Sequence, residues 1–305
     1  MKKIFSLLIT TVIISLSANS QDVLNDNIVE DRNSIYKKVK HQNKIIQEYT
    51  PLRQADVMWS RKIWREIDLR QKINHGFYYP KNNGEAGAAT TSDRKSLIDV
   101  IYSAIQEGSI VAYGDAVYDD EFRSPMTASE IKTIGGAIEE TRQIVDMDLL
   151  DQGYDQDDAM KDTTFIKAFD RNTVKKWRLK EEWFFDKQRS VMDVRIIGMA
   201  PLQEARSEVF PFEITGEWKP LFWVHFREAR KILINAEVFN LVKNDAERRT
   251  YDDIFWKRMF GSVIVKEANV MDRKVSQYMV GLDALLEAER IKAEIFNMEH
   301  DLWEY

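Results

Sequence analysis

A patterned stretch of apolar and polar residues runs from Asp56 to Pro80 and includes two tryptophans, two tyrosines and a phenylalanine. Three large apolar residues recur in it every four positions: Trp59, Ile63 and Ile67. Oppositely charged residues in this stretch also lie four positions apart, as ion pairs on a helix surface do. The stretch therefore predicts an amphipathic helix. Gly76 ends this predicted helix. The aromatic residues that follow predict a short strand over Phe77–Tyr79.

The clearest alternation lies over residues 173–200, where large apolar side chains fall on alternate positions. Its first half carries four of them: Trp177, Leu179, Trp183 and Phe185. Residues 186–190 are polar and predict a turn, and the return half alternates again until Pro201. A period of two with aromatic and β-branched residues predicts a β-hairpin.

The rest of the pattern mixes helices and strands. Helices are predicted over residues 92–107, from Thr127, over 227–234, over 250–260 and over 272–303. Strands are predicted over residues 109–113, 143–147, 221–226 and 262–266. Thr127 and Thr250 each precede an acidic residue by three positions, which is the pattern of a helix N-terminal cap. The sequence therefore predicts an α+β fold with an antiparallel-type sheet and a long C-terminal helix.

Two parts of the pattern resemble one another. Residues 99–113 and 252–266 align without a gap, and each contains an aspartate, an apolar helical turn, Gly-Ser and an apolar strand. Upstream of them, residues 67–80 resemble residues 227–240. We interpret these similarities as two diverged helix–strand–helix–strand repeats with the hairpin between them. The alternative is chance similarity between amphipathic segments.

The first twenty residues differ from the rest of the chain. Two lysines precede an apolar run from Ile4 to Leu16, and small residues follow up to Ser20. This pattern predicts a secretory signal peptide over residues 1–20, and the run is too short to cross a membrane. The chain has no cysteine, so it has neither disulfides nor a lipidated cysteine. We therefore expect an exported protein, which in a bacterium with two membranes is periplasmic.

The mature chain is predicted to have three parts. Residues 21–50 are polar and lack a sustained helical period, so we expect an extended or weakly ordered segment. Two α+β halves follow over residues 51–160 and 161–305, and the second contains the hairpin and the C-terminal helix. The net charge of −6 argues against a nucleic-acid-binding surface, which is usually basic.

No catalytic motif stands out in the sequence. Four histidines are present, without metal-ligand spacing: His41, His75, His225 and His300. The adjacent acids Asp119–Glu121 and Asp252–Asp253 do not show the two carboxylates converging across a cleft that acid–base catalysis needs. We therefore assign no catalytic, cofactor-binding or metal-binding residue, and we predict that the protein is not an enzyme.

Two further features of the sequence can each be interpreted in two ways. The stretch Asp146–Asp158 is rich in acids and could be a calcium loop, since calcium prefers carboxylate oxygens. Leu150 stands where a third ligand would fall, so we favour a solvated loop. The C-terminal helix has an apolar stripe that either packs on the core or binds a partner.

Several motifs resemble the GldN/PorN family of the type IX secretion and gliding-motility apparatus of Bacteroidota. The matching segments are Asp56–Ser60, Ile63–Arg65, Ile67–Arg70, Lys72–Asn74, Tyr251–Phe255, Glu287–Lys292 and Glu299–Glu304. They carry tryptophans in a fixed order and extend over nearly the whole mature chain. The segment up to Thr50 carries little of the resemblance.

This resemblance implies a scaffold subunit without catalytic residues. Members of the family assemble with a GldK (PorK)-like lipoprotein into a large ring at the periplasmic face of the outer membrane. The motor proteins GldL (PorL) and GldM (PorM) belong to the same apparatus. Two other hypotheses are a periplasmic ligand-binding protein or enzyme whose site forms only in three dimensions, and a calcium-binding adaptor that uses Asp146–Asp158.

Overall fold

In the part of the chain that the structure describes, an antiparallel sheet of seven strands organises the fold. The computed structural model describes residues 44–80, 94–114, 120–136, 138–145, 160–167, 169–206, 214–238 and 248–301. The strands in these residues are β1 (Val57–Asp68), β2 (Ala112–Tyr113), β3 (Ile138–Val145), β4 (Met160–Lys167), β5 (Val174–Asp186), β6 (Val191–Arg206), β7 (Ile214–Pro220), β8 (Trp223–His225) and β9 (Val263–Glu267).

Six α-helices occur in the described residues: α1 (His75–Tyr78), α2 (Leu97–Gln106), α3 (Ala128–Thr133), α4 (Phe226–Leu233), α5 (Tyr251–Trp256) and α6 (Leu282–Asp301). Short 3-10 helices lie at Gln54–Asp56, Lys72–Asn74, Arg171–Thr173 and Val275–Gln277. Together with the antiparallel sheet, these helices confirm the predicted α+β class and the long C-terminal helix.

The strands follow the order β2–β8–β6–β5–β1–β9 across the sheet, and β7 pairs with β6 beside this path. Every pair in the sheet is antiparallel. The strands β3 and β4 form a separate two-stranded ladder. The longest strands occupy the centre, while the short strands β2 and β9 form the edges, which limits the length of unpaired backbone.

The predicted hairpin is confirmed as the central pair, β5 and β6. Trp177 and Leu179 share one face of β5 and are 1% and 0% exposed. Asp186 closes the turn, because its carboxylate accepts hydrogen bonds from the backbone N–H of Gln188 at 2.9 Å and from Nε of Arg189 at 2.7 Å. The hydrogen bond from Arg189 holds the pKa of Asp186 below its ordinary value.

The helix predicted after Asp56 is wrong, because Val57–Asp68 is the strand β1. A spacing of four places Trp59, Ile63 and Ile67 on one face of a helix, but it also places them on one face of a strand. Pairing with two neighbours decided between these structures, since β1 lies between β5 and β9. Strand pairing of this kind depends on residues far away in the sequence, which the local pattern does not contain.

The charged residues of β1 pair across the sheet and not along a helix. Oε1 of Glu66 accepts a hydrogen bond from Nη2 of Arg178 at 2.6 Å, and Oε2 of Glu66 lies 3.4 Å from Nζ of Lys176. Asp68 pairs with Arg70 at 2.6 Å, and this hydrogen-bonded pairing lowers the pKa of Asp68. The predicted pairs between positions four apart are therefore replaced by cross-strand and local pairs.

The strand predicted over Phe77–Tyr79 is also wrong, because the chain there forms the short helix α1. Phe77 is 2% exposed, and its ring centroid lies 5.3 Å from that of Phe255 and 6.0 Å from that of Tyr251. A helical turn points Phe77 at these two rings of α5. The packing of Phe77 on these two rings, and not the local run of aromatic residues, therefore determines the backbone conformation here.

The other predicted elements are present with changed boundaries. The helices α2, α4 and α5 and the strands β8 and β9 are confirmed, and the capping boxes at Thr127 and Thr250 are both formed. Strand β2 is shorter than predicted, and β3 begins earlier. Helix α6 begins at Leu282, ten residues later than predicted. The left-handed backbone of Gly281, at φ +61, cannot continue a helix into it.

The helices pack on one face of the sheet in two clusters. The larger cluster joins α2, α4 and α5 to Ile67, Trp177 and Leu179, and the smaller cluster joins α6 to Ile63 and Ile264. Ile63 and Ile67 alternate along β1, so they face the same side. The opposite face carries a third cluster around Trp64, Ala200 and Trp223.

The two similar segments occupy equivalent places in the sheet. From the centre outward, one side reads β6, β8, β2 and the other reads β5, β1, β9. The chain passes from β1 through α1 and α2 to β2, and later from β8 through α4 and α5 to β9. Each unit is therefore strand–helix–helix–strand, which corrects the predicted helix–strand–helix–strand order.

The register shows how the two units pair with one another. Trp64 pairs with Lys266 of β9, and Trp223 pairs with Tyr113 of β2. The first strand of each unit thus pairs with the last strand of the other. Trp64 and Trp223 also share one apolar cluster.

The upstream similarity is not matched in the structure, because α4 (Phe226–Leu233) is a helix whereas the aligned residues 67–68 end β1 and 72–74 form a 3-10 helix. The duplication therefore stays a hypothesis beside chance similarity.

Both predicted halves contribute strands to the one sheet, because β1 and β2 come from residues 51–160 and β5 to β9 come from residues 161–305. The described residues belong to one compact unit. The division into halves stays a prediction. The predicted signal peptide and most of the segment 21–50 lie outside the described residues.

Candidate docking surface

Helix α6 rests on the sheet through a narrow apolar face. Its residues Ala288, Ile291 and Ile295 are at most 4% exposed and pack in one cluster with Ile63 of β1 and Ile264 of β9. Full burial of an isoleucine side chain contributes about 1.5–3 kcal/mol. This face therefore fixes the position of α6 over β1 and β9.

Arg61 of β1 adds a polar contribution to this packing. Its Nη2 lies 2.8 Å from Oε2 of Glu267 on β9, and its Nη1 lies 2.9 Å from Oε2 of Glu294 on α6. One guanidinium thus joins three elements. Because the Arg61 and Glu294 side chains are 27% and 42% exposed, we expect their pair to contribute no more than about 1 kcal/mol.

The opposite side of α6 is apolar and faces solvent. Four large apolar residues lie there, with exposed fractions of 70%, 53%, 59% and 67% in chain order: Leu282, Leu285, Leu286 and Phe296. We call these four residues the outward stripe. A helix turns about 100° per residue, so their spacing places them together on the side away from the buried face.

The segment that leads into α6 extends the apolar surface. Tyr278, Met279 and Val280 are 39%, 37% and 83% exposed. Large contiguous apolar patches are rare on monomeric proteins and mark sites of interaction. The outward stripe and these three residues therefore form our candidate docking surface.

The surroundings of the outward stripe are acidic. Helix α6 contains six acidic residues: Asp283, Glu287, Glu289, Glu294, Glu299 and Asp301. It contains two basic residues, Arg290 and Lys292. The formal charge of the helix is therefore −4 with a neutral His300.

Both cations of α6 are engaged within the helix. Arg290 donates from Nε to Oε2 of Glu287 at 2.8 Å, and it also pairs with Glu294. Nζ of Lys292 lies 3.2 Å from Oε2 of Glu289. The hydrogen bond from Arg290 lowers the pKa of Glu287, and the same bond raises the pKa of Arg290. The Glu287 carboxylate therefore stays ionised at neutral pH.

The described histidines lie on three different elements. His75 begins α1, and its ring centroid is 5.6 Å from that of Tyr79. His225 ends β8, and its ring contacts that of Phe122 at 5.4 Å. His300 is exposed in the last turn of α6. The contacts of His75 and His225 are ones that structural histidines make. The structure brings none of the three described histidines to a common site.

The adjacent acids Asp252 and Asp253 serve the structure around α5. Asp252 accepts two hydrogen bonds from Arg230, from Nε at 2.7 Å and from Nη2 at 3.1 Å. Asp253 accepts from the backbone N–H of Thr250 at 3.1 Å and from its hydroxyl at 2.8 Å. Their carboxylates bind different groups, so they do not form a catalytic pair.

The acids before β3 are engaged as well. Oδ1 of Asp120 lies 3.5 Å from Nζ of Lys180, which also donates to the Asp120 carbonyl at 2.6 Å. Burial lowers the pKa of Lys180, and Asp120 opposes this shift. Glu121 pairs with Arg123. Asp119 lies outside the described residues.

Glu181 forms a buried ion cluster that the sequence analysis missed. It is 0% exposed, and its Oε1 accepts a hydrogen bond from Nη2 of Arg258 at 2.9 Å. Nε of Arg65 lies 3.1 Å from Oε2 of Glu181. Both guanidinium carbons lie within 5.5 Å of the Trp183 ring centroid. Alternation along β5 placed Glu181 on the inner face, but no local signal showed two distant arginines converging on it.

Arg230 holds the first described residues of the chain, and the sequence analysis missed this role also. Its Nη2 donates to the backbone oxygen of Gln47 at 2.9 Å. Its guanidinium carbon lies 4.9 Å from the ring centroid of Tyr49 and 5.0 Å from that of Trp256. Burial raises the pKa of Tyr49. We call residues 44–50 the N-terminal strap.

Among the described residues, no group of three or more acidic or histidine side chains could hold a metal ion. The acidic stretch Asp146–Asp158 and His41 lie outside the described residues. The solvated loop predicted there stays a prediction. None of the described helices has the length and apolar character needed to cross a membrane.

Comparison with known protein families decides the identity. The model of one family, described as gliding motility associated protein GldN, matches residues 52–304. The chain belongs to the GldN family. This result confirms the resemblance seen in the motifs between Asp56 and Glu304. No curated protein matches the chain.

The GldN match includes every described helix and strand, from β1 to α6. The candidate docking surface lies within it. The N-terminal strap lies just before it. The family is described by its association with gliding motility and not by a reaction.

Proposed function

We propose that this chain is a non-catalytic structural subunit of the type IX secretion and gliding-motility apparatus. The match to the GldN family over residues 52–304 carries this proposal. The described carboxylates that the sequence analysis considered for catalysis are engaged in helix caps and ion pairs. Helix α6 presents an apolar surface to solvent, which a subunit of an assembly can bury against a partner.

The location and partners follow from the same proposal. Residues 1–20 have the pattern of a signal peptide, so the mature chain is exported to the periplasm. There it assembles with a GldK (PorK)-like lipoprotein into a ring at the outer membrane. The GldL (PorL) and GldM (PorM) motor proteins act in the same apparatus.

A pull-down of the tagged full chain from native membranes tests this function. We expect recovery of a GldK-like lipoprotein in a complex much larger than the monomer, identified by mass spectrometry and sized by gel filtration. A tagged periplasmic protein of similar size and charge is the control.

Recovery of the tagged chain as a lone monomer would count against the scaffold function. It would favour a periplasmic ligand-binding protein or enzyme instead.

A further inference from the structure

The outward stripe has the length of a helical partner. Leu282 and Phe296 are separated by fourteen residues, which corresponds to about 21 Å along a helix. Three leucines lie in the first turn of this length and Phe296 lies in the fourth, with Glu289 and Ala293 on the same side between them. An apolar surface of this length on one side of a helix matches a second amphipathic helix better than a single loop or a chain terminus. The shape of the surface therefore indicates a helix of about four turns as its occupant.

Charge argues against two other occupants. A second copy of α6 would bring two helices of net charge −4 together, and like charges across an interface oppose association. An anionic membrane surface attracts amphipathic helices whose polar face is basic. The polar residues around the outward stripe are mainly acidic, so α6 lacks that property.

The acidic residues of α6 also indicate which charge a partner helix should carry. Glu289 lies among the residues of the outward stripe in the helical projection, and its side chain is 71% exposed. Lys292, which pairs with Glu289, is 60% exposed, so a partner cation can replace it at small cost. Asp283 is exposed near the start of the helix. A lysine or arginine beside the apolar face of a partner would meet these carboxylates.

We propose that the outward stripe of α6 binds a basic amphipathic helix of a partner protein. The apolar residues of the two helices bury each other, and the acidic residues of α6 select a partner with lysine and arginine beside its apolar face. This inference rests on the proposed function as a subunit of a multi-protein assembly, and it adds the chemistry of the partner.

Site-specific photo-crosslinking in cells tests the proposal. Leu286 and Phe296 are each replaced by p-benzoylphenylalanine in the full chain, and the same replacement at Ile73 is the control. Ile73 is also apolar and 61% exposed, but it lies before α1 and not on α6. After irradiation, mass spectrometry identifies the crosslinked peptides.

We expect the two positions on α6 to crosslink to one partner protein, within a segment of helical apolar period and net positive charge. The position at Ile73 should not crosslink to that segment. Crosslinks from α6 to a second copy of this chain, to lipid, or to an acidic or unpatterned segment would overturn the proposal. So would an absence of crosslinks in cells where the tagged chain is recovered in a large complex.

A binding measurement in solution gives a second readout. The probe is an 18-residue helical peptide with leucine on one face and lysine beside it, and a matched peptide carries glutamate in place of lysine. We expect the lysine peptide to bind the full chain at least tenfold more tightly than the glutamate peptide. Raised salt should weaken the binding, because the charges are exposed.

Variants locate this binding. Leu286→Glu and Phe296→Glu should each lower the affinity of the lysine peptide for the chain at least tenfold. Ile73→Glu should change this affinity less than twofold. Equal effects of all three variants, or equal binding of both peptides, would contradict the proposal. If the pull-down yields the assembly equally well with Leu286→Glu and Phe296→Glu combined, the docking inference fails and the proposed function stands. If the unaltered chain is recovered alone, the proposed function itself fails.

Discussion

Single residues of this chain show that a buried charge can be structural. Glu181 is a fully buried carboxylate between Arg65 and Arg258. Burial lowers the pKa of Arg65, and Glu181 opposes this shift. Since arginine keeps its proton in proteins, the two cations remain charged and need their carboxylate. Glu181 therefore compensates the charge of these arginines in the buried part of the sheet, and removal of its charge should be costly.

We expect Glu181→Gln to lower the free energy of unfolding by about 3 kcal/mol, because it leaves the buried guanidinium of Arg65 and the partly exposed one of Arg258 without their anion. Urea denaturation of the purified mature chain measures this loss. Glu182→Gln is the matched control on the same strand, since Glu182 points to the other face of β5 and is partly exposed. Its effect should stay within about 0.5 kcal/mol. Similar losses of stability in both variants would show that the buried ion cluster contributes no more to stability than an exposed carboxylate on the same strand.

Elements with the same local signal differ in what they contribute. Helices α3 and α5 both begin with a formed capping box, at Thr127 and Thr250 respectively. Helix α3 has no buried residues, whereas α5 buries Tyr251 and Phe255. The hydroxyl of Tyr251 donates to the backbone oxygen of Lys95 at 2.8 Å. The cap of α5 is thus coupled to the core, and that of α3 is not.

Thr250→Ala should therefore destabilise the protein by about 1–2 kcal/mol, which is the usual range for loss of a helix cap. Thr127→Ala removes the same interactions from a helix that can fray while the core stays folded, so its effect should be below about 0.5 kcal/mol. Thermal unfolding followed by circular dichroism compares the two variants. An equal or larger effect at Thr127 would refute the assignment of α5 as the helix coupled to the core.

The whole molecule is organised about its central hairpin. The strands β8 and β2 lie on one side, and β1 and β9 lie on the other. The N-terminal strap attaches to this frame mainly through Arg230 and Trp256. Arg195 of β6 also binds the Thr50 backbone oxygen, and Lys44 pairs with Asp253 of α5. Tyr49 stacks on Trp256 with ring centroids 4.9 Å apart. The strap thus adds stability to a fold whose sheet does not include it.

A chain that begins at Pro51 should keep the fold and lose about 1–2 kcal/mol of stability relative to a chain that begins at Lys44, because cation–π and stacking contacts are lost. Tyr49→Ala in the longer chain should account for most of this loss. Gln47→Ala is the control, since Arg230 contacts the backbone oxygen of Gln47 and not its side chain. Guanidinium denaturation measures all four proteins. Unchanged stability on removal of the strap would contradict its role.

Much of this structure follows from the sequence alone. The hairpin β5–β6, the capped helices α3 and α5 and the amphipathic α2 were predicted, because their signals are local: alternation around a turn, a side chain that caps its own helix, or one apolar face. The motifs between Asp56 and Glu304 also predicted the GldN family. These features depend on residues that are close together in the chain.

The tertiary structure decided what depends on distant residues. It made Val57–Asp68 a strand, because a spacing of four fits both helix and strand, and pairing with β5 and β9 selected the strand. It also decided which side of α6 is buried, since both sides are apolar and only the positions of Ile63 and Ile264 distinguish them. The outward stripe became visible only once those neighbours were in place.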